Sequence, residues 1–402
     1  MRNSIGIVIA AYNRPHSLER LLNSIHNADC QDQIEIDLII SIDFSGNDLC
    51  YKIADLFQWN NGQIKIIKHK EKLGLKKHIL FCGDQTQKYD IVIMLEDDLY
   101  VSKYFLSYAI QVCDFYKNDN DIAGFSLYNY KYNEFAQCPF DPILDSYDNY
   151  FMQVPCSWGQ IWTRKQWSEF REYELDEKFD DENIMIPDAV FNWPKQTSWK
   201  RSFFKFMVEK KKYFVYPRVS LTTNFGDAGQ HYSEPVSIWQ TDLLMEEKQF
   251  KFSELINSIS IYDSYMELSG NSYNRIKVCD MSVCFDLNGL KSLKTINTEY
   301  LISIKKCINP IIVYQANLYP YEVNILQQSI KEQEDNSYCY YLGKTSSFIN
   351  EKNFNRFDID LKRLFINSNE ILNKIIVADK IQNGNKIKRI IIKCLRFFHL
   401  KK

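Results

Sequence analysis

The stretch Ile91–Asp98 reads IVIMLEDD, an unbroken apolar run that ends in three consecutive acids. An apolar run without alternation predicts a strand covered on both faces, as in a parallel sheet flanked by helices. Working outward, Ile5–Ala11, Ile36–Ile42 and Ile64–Ile67 read the same way. Helical patterns separate them. Pro15 stands where a first turn begins, and Leu18, Leu21, Leu22 and Ile25 follow at helical spacing. Gly74–Thr86 carries Leu75, Ile79 and Leu80 in the same manner. Strands alternating with helices predict an α/β, Rossmann-like fold with a mostly parallel sheet and helices on both faces.

Ligands of such sheets bind beyond the carboxyl ends of the strands. Asn13 and Arg14 follow the first strand, Asp43 follows the second, and Glu96, Asp97 and Asp98 close the fourth, so topology brings them to one crevice. Three acids at the end of a buried strand are costly unless their charge is offset. Mg²⁺ or Mn²⁺ would offset it, held by one or two carboxylates together with diphosphate oxygens and water. The plain alternative is a solvated acidic turn. Asp43, followed by Ser45-Gly46-Asn47, can accept from a base N–H or a ribose hydroxyl, or cap the next helix. Arg14 can meet a phosphate or ribose beside helix N-terminal amides, or be an ordinary surface arginine.

The chain has 402 residues, 45% hydrophobic and 15% aromatic, enough for one large domain and a smaller unit. A net charge of −2 gives no basic excess for nucleic acid. Ile5–Ala11 is too short to span a membrane and no small-residue cleavage site follows it, so no secretory signal and a cytoplasmic location are expected. Eleven cysteines without a CxxC pair fit reduced thiols rather than a zinc site or a disulfide framework.

Residues 1–245 are expected to form the main domain, with the aromatic-rich 150–245 facing an acceptor. Trp158 beside Gly159 is a candidate stacking platform there. Residues 246–380 are expected to form a small appended α+β unit, with strand-like pieces at Arg275–Val278 and Ile311–Tyr314 and a polar stretch at Glu332–Ser337. Residues 381–402 are expected to form a terminal amphipathic helix. Lys386, Lys388, Arg389, Lys393, Arg396, Lys401 and Lys402 come without an acid, while Ile387, Ile390, Ile391, Cys394, Leu395 and Phe398 recur at helical spacing. Such a helix suits the face of an anionic membrane, or a dock on its own domain.

Ile7–Arg14, reading IVIAAYNR, resembles the opening strand of GT-A glycosyltransferases. VIMLEDDLYVSKYF at Val92–Phe105 is similar to the metal-binding region of the N-acetylglucosaminyltransferase I family. PCSWGQIWTRKQW at Pro155–Trp167, TSWKRSFF at Thr197–Phe204 and YPRVSLTTNFG at Tyr216–Gly226 continue the likeness. The order of segments also resembles bacterial family 2-like enzymes of surface polysaccharide assembly. The resemblance, over roughly residues 5–245, implies a GT-A fold and metal-dependent, inverting transfer from a UDP-sugar to a saccharide or lipid-linked saccharide. It implies metal coordination by Asp98, ribose and donor-sugar contacts by Glu96 and Asp97, uracil binding by Asp43, and Arg14 near the nucleotide. Phe225–His231, reading FGDAGQH, would order over the donor.

One departure concerns the catalytic base. The family carries an Asp just after a Trp, whereas Trp199 is followed here by Lys200 and Arg201. Asp188 and Asp227 are the candidate bases and His231 a third, because the acceptor hydroxyl needs a carboxylate or imidazole within reach. A sugar-phosphate nucleotidyltransferase would also use acids and Mg²⁺, but it needs a Gly-rich loop where this chain has Ala10-Ala11-Tyr12-Asn13-Arg14. A non-catalytic nucleotide-sugar-binding scaffold is the other alternative, suggested by Lys200 and Arg201.

Overall fold

The computed structural model describes residues 4–30, 35–176, 183–229, 234–316, 318–327 and 339–349. In chain order the elements begin β1 (Ile5–Ala11), α1 (Pro15–His26), β2 (Ile36–Ile42), α2 (Leu49–Leu56), β3 (Ile64–Lys68), α3 (Leu75–Gly83), β4 (Ile91–Glu96), β5 (Leu99–Val101), α4 (Phe105–Phe115) and β6 (Ile122–Ser126). Two short strands, β7 (Tyr132–Asn133) and β8 (Cys138–Pro139), pair with each other. Then come β9 (Asn149–Met152), β10 (Gln160–Thr163), α5 (Arg164–Asp176), α6 (Asp188–Phe191), α7 (Trp199–Glu209), β11 (Tyr213–Pro217), β12 (Thr222–Asn224) and β13 (Ile261–Tyr262). The remainder is α8 (Gly270–Lys277), β14 (Val283–Asp286), β15 (Tyr300–Ser303), β16 (Ile312–Gln315), α9 (Val323–Gln327) and β17 (Cys339–Lys344).

The large sheet has nine strands in the order β13-β9-β11-β6-β10-β4-β1-β2-β3. The half formed by β4, β1, β2 and β3 is wholly parallel, with Ala10 level with Glu96 and Ala11 level with Ile42. Parallel strands need crossover helices, and these cover both faces. On one face α1, α2 and α4 bury Leu18, Leu22, Ala54, Phe105 and Val112 against Ile7, Ile9, Ile40 and Ile93. On the other, Trp162 of β10 packs on Trp167 of α5 at 4.4 Å and on Trp199 of α7 at 6.1 Å. The α/β architecture expected from the sequence is the one observed. β10 departs from the parallel pattern, running antiparallel to both β4 and β6.

The chain divides into two compact units, 1–131 with 144–266, and 132–143 with 267–402. The expected division at 245 falls later for a packing reason. Phe250, Phe252 and Ile261 join the first unit's core, with Phe250 against Tyr108 at 4.9 Å, and β13 extends the large sheet beside β9. The second unit carries a four-stranded sheet ordered β14-β15-β17-β16. The strand-like piece Ile311–Tyr314 lies largely in β16, but Arg275–Val278 is not a strand. It falls at the end of α8, a helix whose start is capped by Ser269 accepting from the Ser272 N–H. Residues 350–380, the segment Glu332–Ser337 and the basic helix expected at 381–402 lie outside the described residues. Among the described residues every cysteine is a free thiol, and no helix is long and apolar enough to cross a membrane.

Candidate active site

The carboxyl ends of β1, β2 and β4 carry the polar residues singled out from the sequence. The turn after β1 places Arg14 at the N-cap of α1, where its carbonyl accepts the Leu18 N–H at 3.0 Å. From there the guanidinium reaches both acids that follow β4. One arm donates to Asp97, and the other donates to Asp98 Oδ2 at 2.8 Å. Asp97 is buried and also accepts the Tyr12 N–H at 3.1 Å. Asp98 Oδ1 is buried and finds no hydrogen-bond partner among the described residues. Glu96 is half-buried beside them.

The electrostatics follow from this count of charges. Burial, with Asp98 alongside, pushes the Glu96 carboxyl up to about 8, against the opposing pull of Arg14 and Lys200. Burial also pushes Asp97 up to about 6 although Arg14 pairs with it. Burial works against the charge on Arg14 too, yet Asp97 and Asp98 outweigh it and hold the guanidinium above its ordinary value. One arginine facing three acids leaves the crevice acidic, with Glu96 the acid that most readily keeps its proton. Among the described residues no group of three His, Cys, Asp or Glu is arranged to hold a metal. The donor set nonetheless fits a hard divalent cation that takes one or two carboxylates and completes its shell from phosphate and water. Asp98 Oδ1 is the oxygen left without a partner among the described residues, and Glu96 precedes it by two positions.

Asp43 is buried at the end of β2. Its carboxylate accepts the N–H groups of Phe44 at 2.9 Å, Leu73 at 2.7 Å and Gly74 at 3.0 Å. It therefore pins the loop before α3 to the sheet edge and is not a helix cap. Helix α2 starts instead with Asn47 accepting from the Leu49 N–H at 2.9 Å.

The loop after β12 meets the same crevice. β12 pairs antiparallel with β5, directly after the acids, and the Phe225 N–H donates to the Asp98 carbonyl at 2.9 Å. Gly226 sits at φ +74°, and a Cβ there would lie 1.8 Å from the Val236 carbonyl oxygen, so only glycine fits. Asp227 accepts from Ser17 Oγ at 2.7 Å and from Arg20. Burial alone would raise its carboxyl, but Arg20 and Ser17 outweigh that and hold it below the usual carboxylate range. A carboxylate fixed and acidified in this way fits an anchor better than a proton acceptor. Asp188 is exposed in the first turn of α6, with no side-chain hydrogen bond among the described residues. His231 lies outside the described residues. Trp158 is half-buried against Tyr128 at 4.8 Å and Trp239 at 5.0 Å, and Gly159 takes φ +94° where a Cβ would press on Thr222.

Sequence reasoning missed Arg20 and Ser17, whose partner is 207 residues or more away in the chain. It also missed the backbone donors Leu73 and Gly74. Only the helical spacing of Arg14, Ser17 and Arg20 along one side of α1 hinted at them.

Residues 6–186 match the model of glycosyl transferase family 2. That span holds Arg14, Asp43 and the acid cluster. Among solved structures, the chain is similar to S. aureus TarS 1-349 in complex with UDP-GlcNAc, at 14% identity and TM-score 0.37, covering 57% of this chain and 60% of that one. It is similar to GalNAc-T7 with UDP, GalNAc and Mn²⁺ at 12% identity and TM-score 0.38, covering 54% and 42%. It is also similar to the mannosyltransferase PcManGT from Pyrobaculum calidifontis in complex with GDP-Man and Mn²⁺, at 11% identity and TM-score 0.34, covering 55% and 58%. The chain thus spans about three-fifths of the TarS 1-349 chain. No curated protein matches it in sequence.

Proposed function

We propose that this protein is a glycosyltransferase of GT-A architecture, which moves a sugar from a nucleotide-sugar, a UDP-sugar by its sequence resemblance, to a saccharide or lipid-linked saccharide acceptor. The transfer is metal-dependent and inverting, and serves bacterial surface polysaccharide assembly. The observation that carries the donor site is the acid cluster held by Arg14, in which Asp98 keeps one buried oxygen without a partner among the described residues. Bound Mn²⁺ or Mg²⁺ would neutralise the leaving diphosphate there. Asp98 would hold the metal, with Glu96 and Asp97 toward ribose and donor sugar. Arg14 and the first-turn amides of α1 would meet the diphosphate. Asp43, by fixing Leu73 and Gly74, would shape the uracil end. Asp188, exposed and unpaired among the described residues, is the candidate left to take the acceptor proton, since Asp227 is held by Arg20 and Ser17. Residues 386–402 would hold the protein to the inner face of the cytoplasmic membrane.

Calorimetric titration with UDP, with and without Mn²⁺, tests the donor site. Wild-type binding should need the metal, and Asp98→Ala should weaken it by roughly 10–100-fold. Absence of UDP binding under every condition would defeat the assignment. Co-sedimentation with anionic vesicles tests the tail. Removing residues 386–402 should abolish vesicle binding and leave UDP binding unchanged.

A further inference from the structure

Helix α1 does more than present Arg14. Between one and two turns further on, Arg20 lies over the Phe225 ring, with its guanidinium carbon 3.6 Å from the ring centre. The same guanidinium is paired with Asp227, which also accepts from Ser17 Oγ at 2.7 Å. The segment Phe225–Gly229 is thereby bonded at its start and its middle, and lies close at its end, to residues of the candidate donor site or its helix. Its start is tied to the Asp98 carbonyl through the Phe225 N–H at 2.9 Å. Its middle is gripped by Arg20 and Ser17. Its end lies against Arg14, since a Cβ on Gly229 would sit 3.3 Å from Arg14 Nη1. Gln240 adds a further tie, its side-chain amide donating to the Phe225 carbonyl at 3.0 Å.

We infer that Arg20 is a positioning residue for the donor site, which holds Phe225–Gly229 over Arg14 and Asp98 by an ion pair to Asp227 and a stacking contact with Phe225. The inference rests on the donor-site reading above. A planar, always-charged guanidinium can do both jobs at once, whereas a lysine ammonium can make only the charged contact well. A backbone segment held beside Arg14 limits water at the diphosphate and keeps the arginine from swinging outward. Arg20 itself touches neither Asp97 nor Asp98, so it acts through the segment.

The test compares wild type, Arg20→Ala, Arg20→Lys and the exchanged pair Arg20→Asp with Asp227→Arg. Hydrogen exchange of the peptide covering 222–229 reads the clamp itself, with thermal melting as the folding control. UDP affinity in Mn²⁺ reads its consequence. Arg20→Ala should speed exchange of that peptide, keep the melting temperature close to wild type, and raise the Kd for UDP roughly five- to tenfold. Arg20→Lys should recover part of the affinity, and the exchanged pair should recover more than either single change. Unchanged exchange in Arg20→Ala would overturn the clamp. Faster exchange with unchanged UDP affinity would overturn its positioning role. If wild type binds no UDP while exchange still responds to Arg20, the donor-site reading fails and the positioning inference falls with it.

Discussion

Two clusters of buried charge invite comparison, one in each unit. In the second unit, Asp286 accepts from the Lys291 N–H at 2.9 Å, from Ser303 Oγ at 3.0 Å and from Lys305 Nζ at 2.6 Å. Glu267 accepts the N–H groups of Leu287 and Asn288 at 2.7 and 2.9 Å, and Lys291 Nζ stands 4.0 Å from it. Two acids meet two lysines, and the acceptors are filled. In the first unit three acids share Arg14, Asp98 Oδ1 has no partner among the described residues, and Glu96 is driven up to about 8 by burial and its neighbours. Both regions bury charge, but only the first is unbalanced. Burial of charge therefore does not mark a functional site by itself. A deficit of positive charge with an unpartnered buried oxygen is what sets the proposed donor site apart.

The largest expected effect lies in the second unit. Asp286→Ala leaves the Lys305 ammonium buried without its counter-ion and should cost about 3–5 kcal/mol of stability, read by denaturant unfolding. UDP affinity should not change, because the acids in question serve only the second unit's packing. An unaltered midpoint would break the comparison at once. Next, His78 is buried with its Nε2 2.9 Å from Ser41 Oγ, and burial lowers its pKa to about 4 from 6.5. Its folded value lies below its unfolded one, so the unfolded chain binds the extra proton between those values. Stability should be complete above pH 6.5 and fall as the pH drops toward 4, by up to about 3 kcal/mol. Melting curves from pH 7.5 to 4.5 should show less of this slope in His78→Gln.

Asp98→Asn gives the sharpest contrast. It should weaken metal-dependent UDP binding roughly 10–100-fold while leaving the melting temperature unlowered, because it relieves repulsion instead of stranding a partner. A melting temperature that fell as far as in Asp286→Ala would mean that the two clusters are alike after all. The smallest effect is that of Ser17→Ala, which removes one bond to Asp227 and should cost about 1 kcal/mol, seen as a modest rise in the Kd for UDP.

Much of the first unit was legible because its parallel strands must be apolar on both faces. Ile5–Ala11, Ile36–Ile42 and Ile91–Leu95 could hardly be read otherwise, and Pro15 marked the start of α1. Arg14, Asp43 and Glu96–Asp98 were legible as a site because topology alone gathers the carboxyl ends of such strands. Less legible were elements defined by partners far along the chain. The short β10 carries Gln160 and Trp162 with no strand-length pattern, yet it lies in mid-sheet between β4 and β6. Phe250 and Phe252 read as part of an appended unit but fill the first unit's core. Asp227 read as a candidate base, and only the approach of Arg20 shows why its proton is so readily lost.

The sequence by itself determined the alternating architecture, the acid cluster at the end of β4 and the arginine that faces it. These depend on local hydrophobic period and on chain order, which a one-dimensional string records. The tertiary structure alone decided which acid keeps an oxygen without a partner among the described residues, that Asp43 spends its carboxylate on Leu73 and Gly74, and that Asp227 anchors to α1. Those outcomes are set by which donors arrive within 3 Å of each carboxylate, and the donors come from segments that only packing brings together.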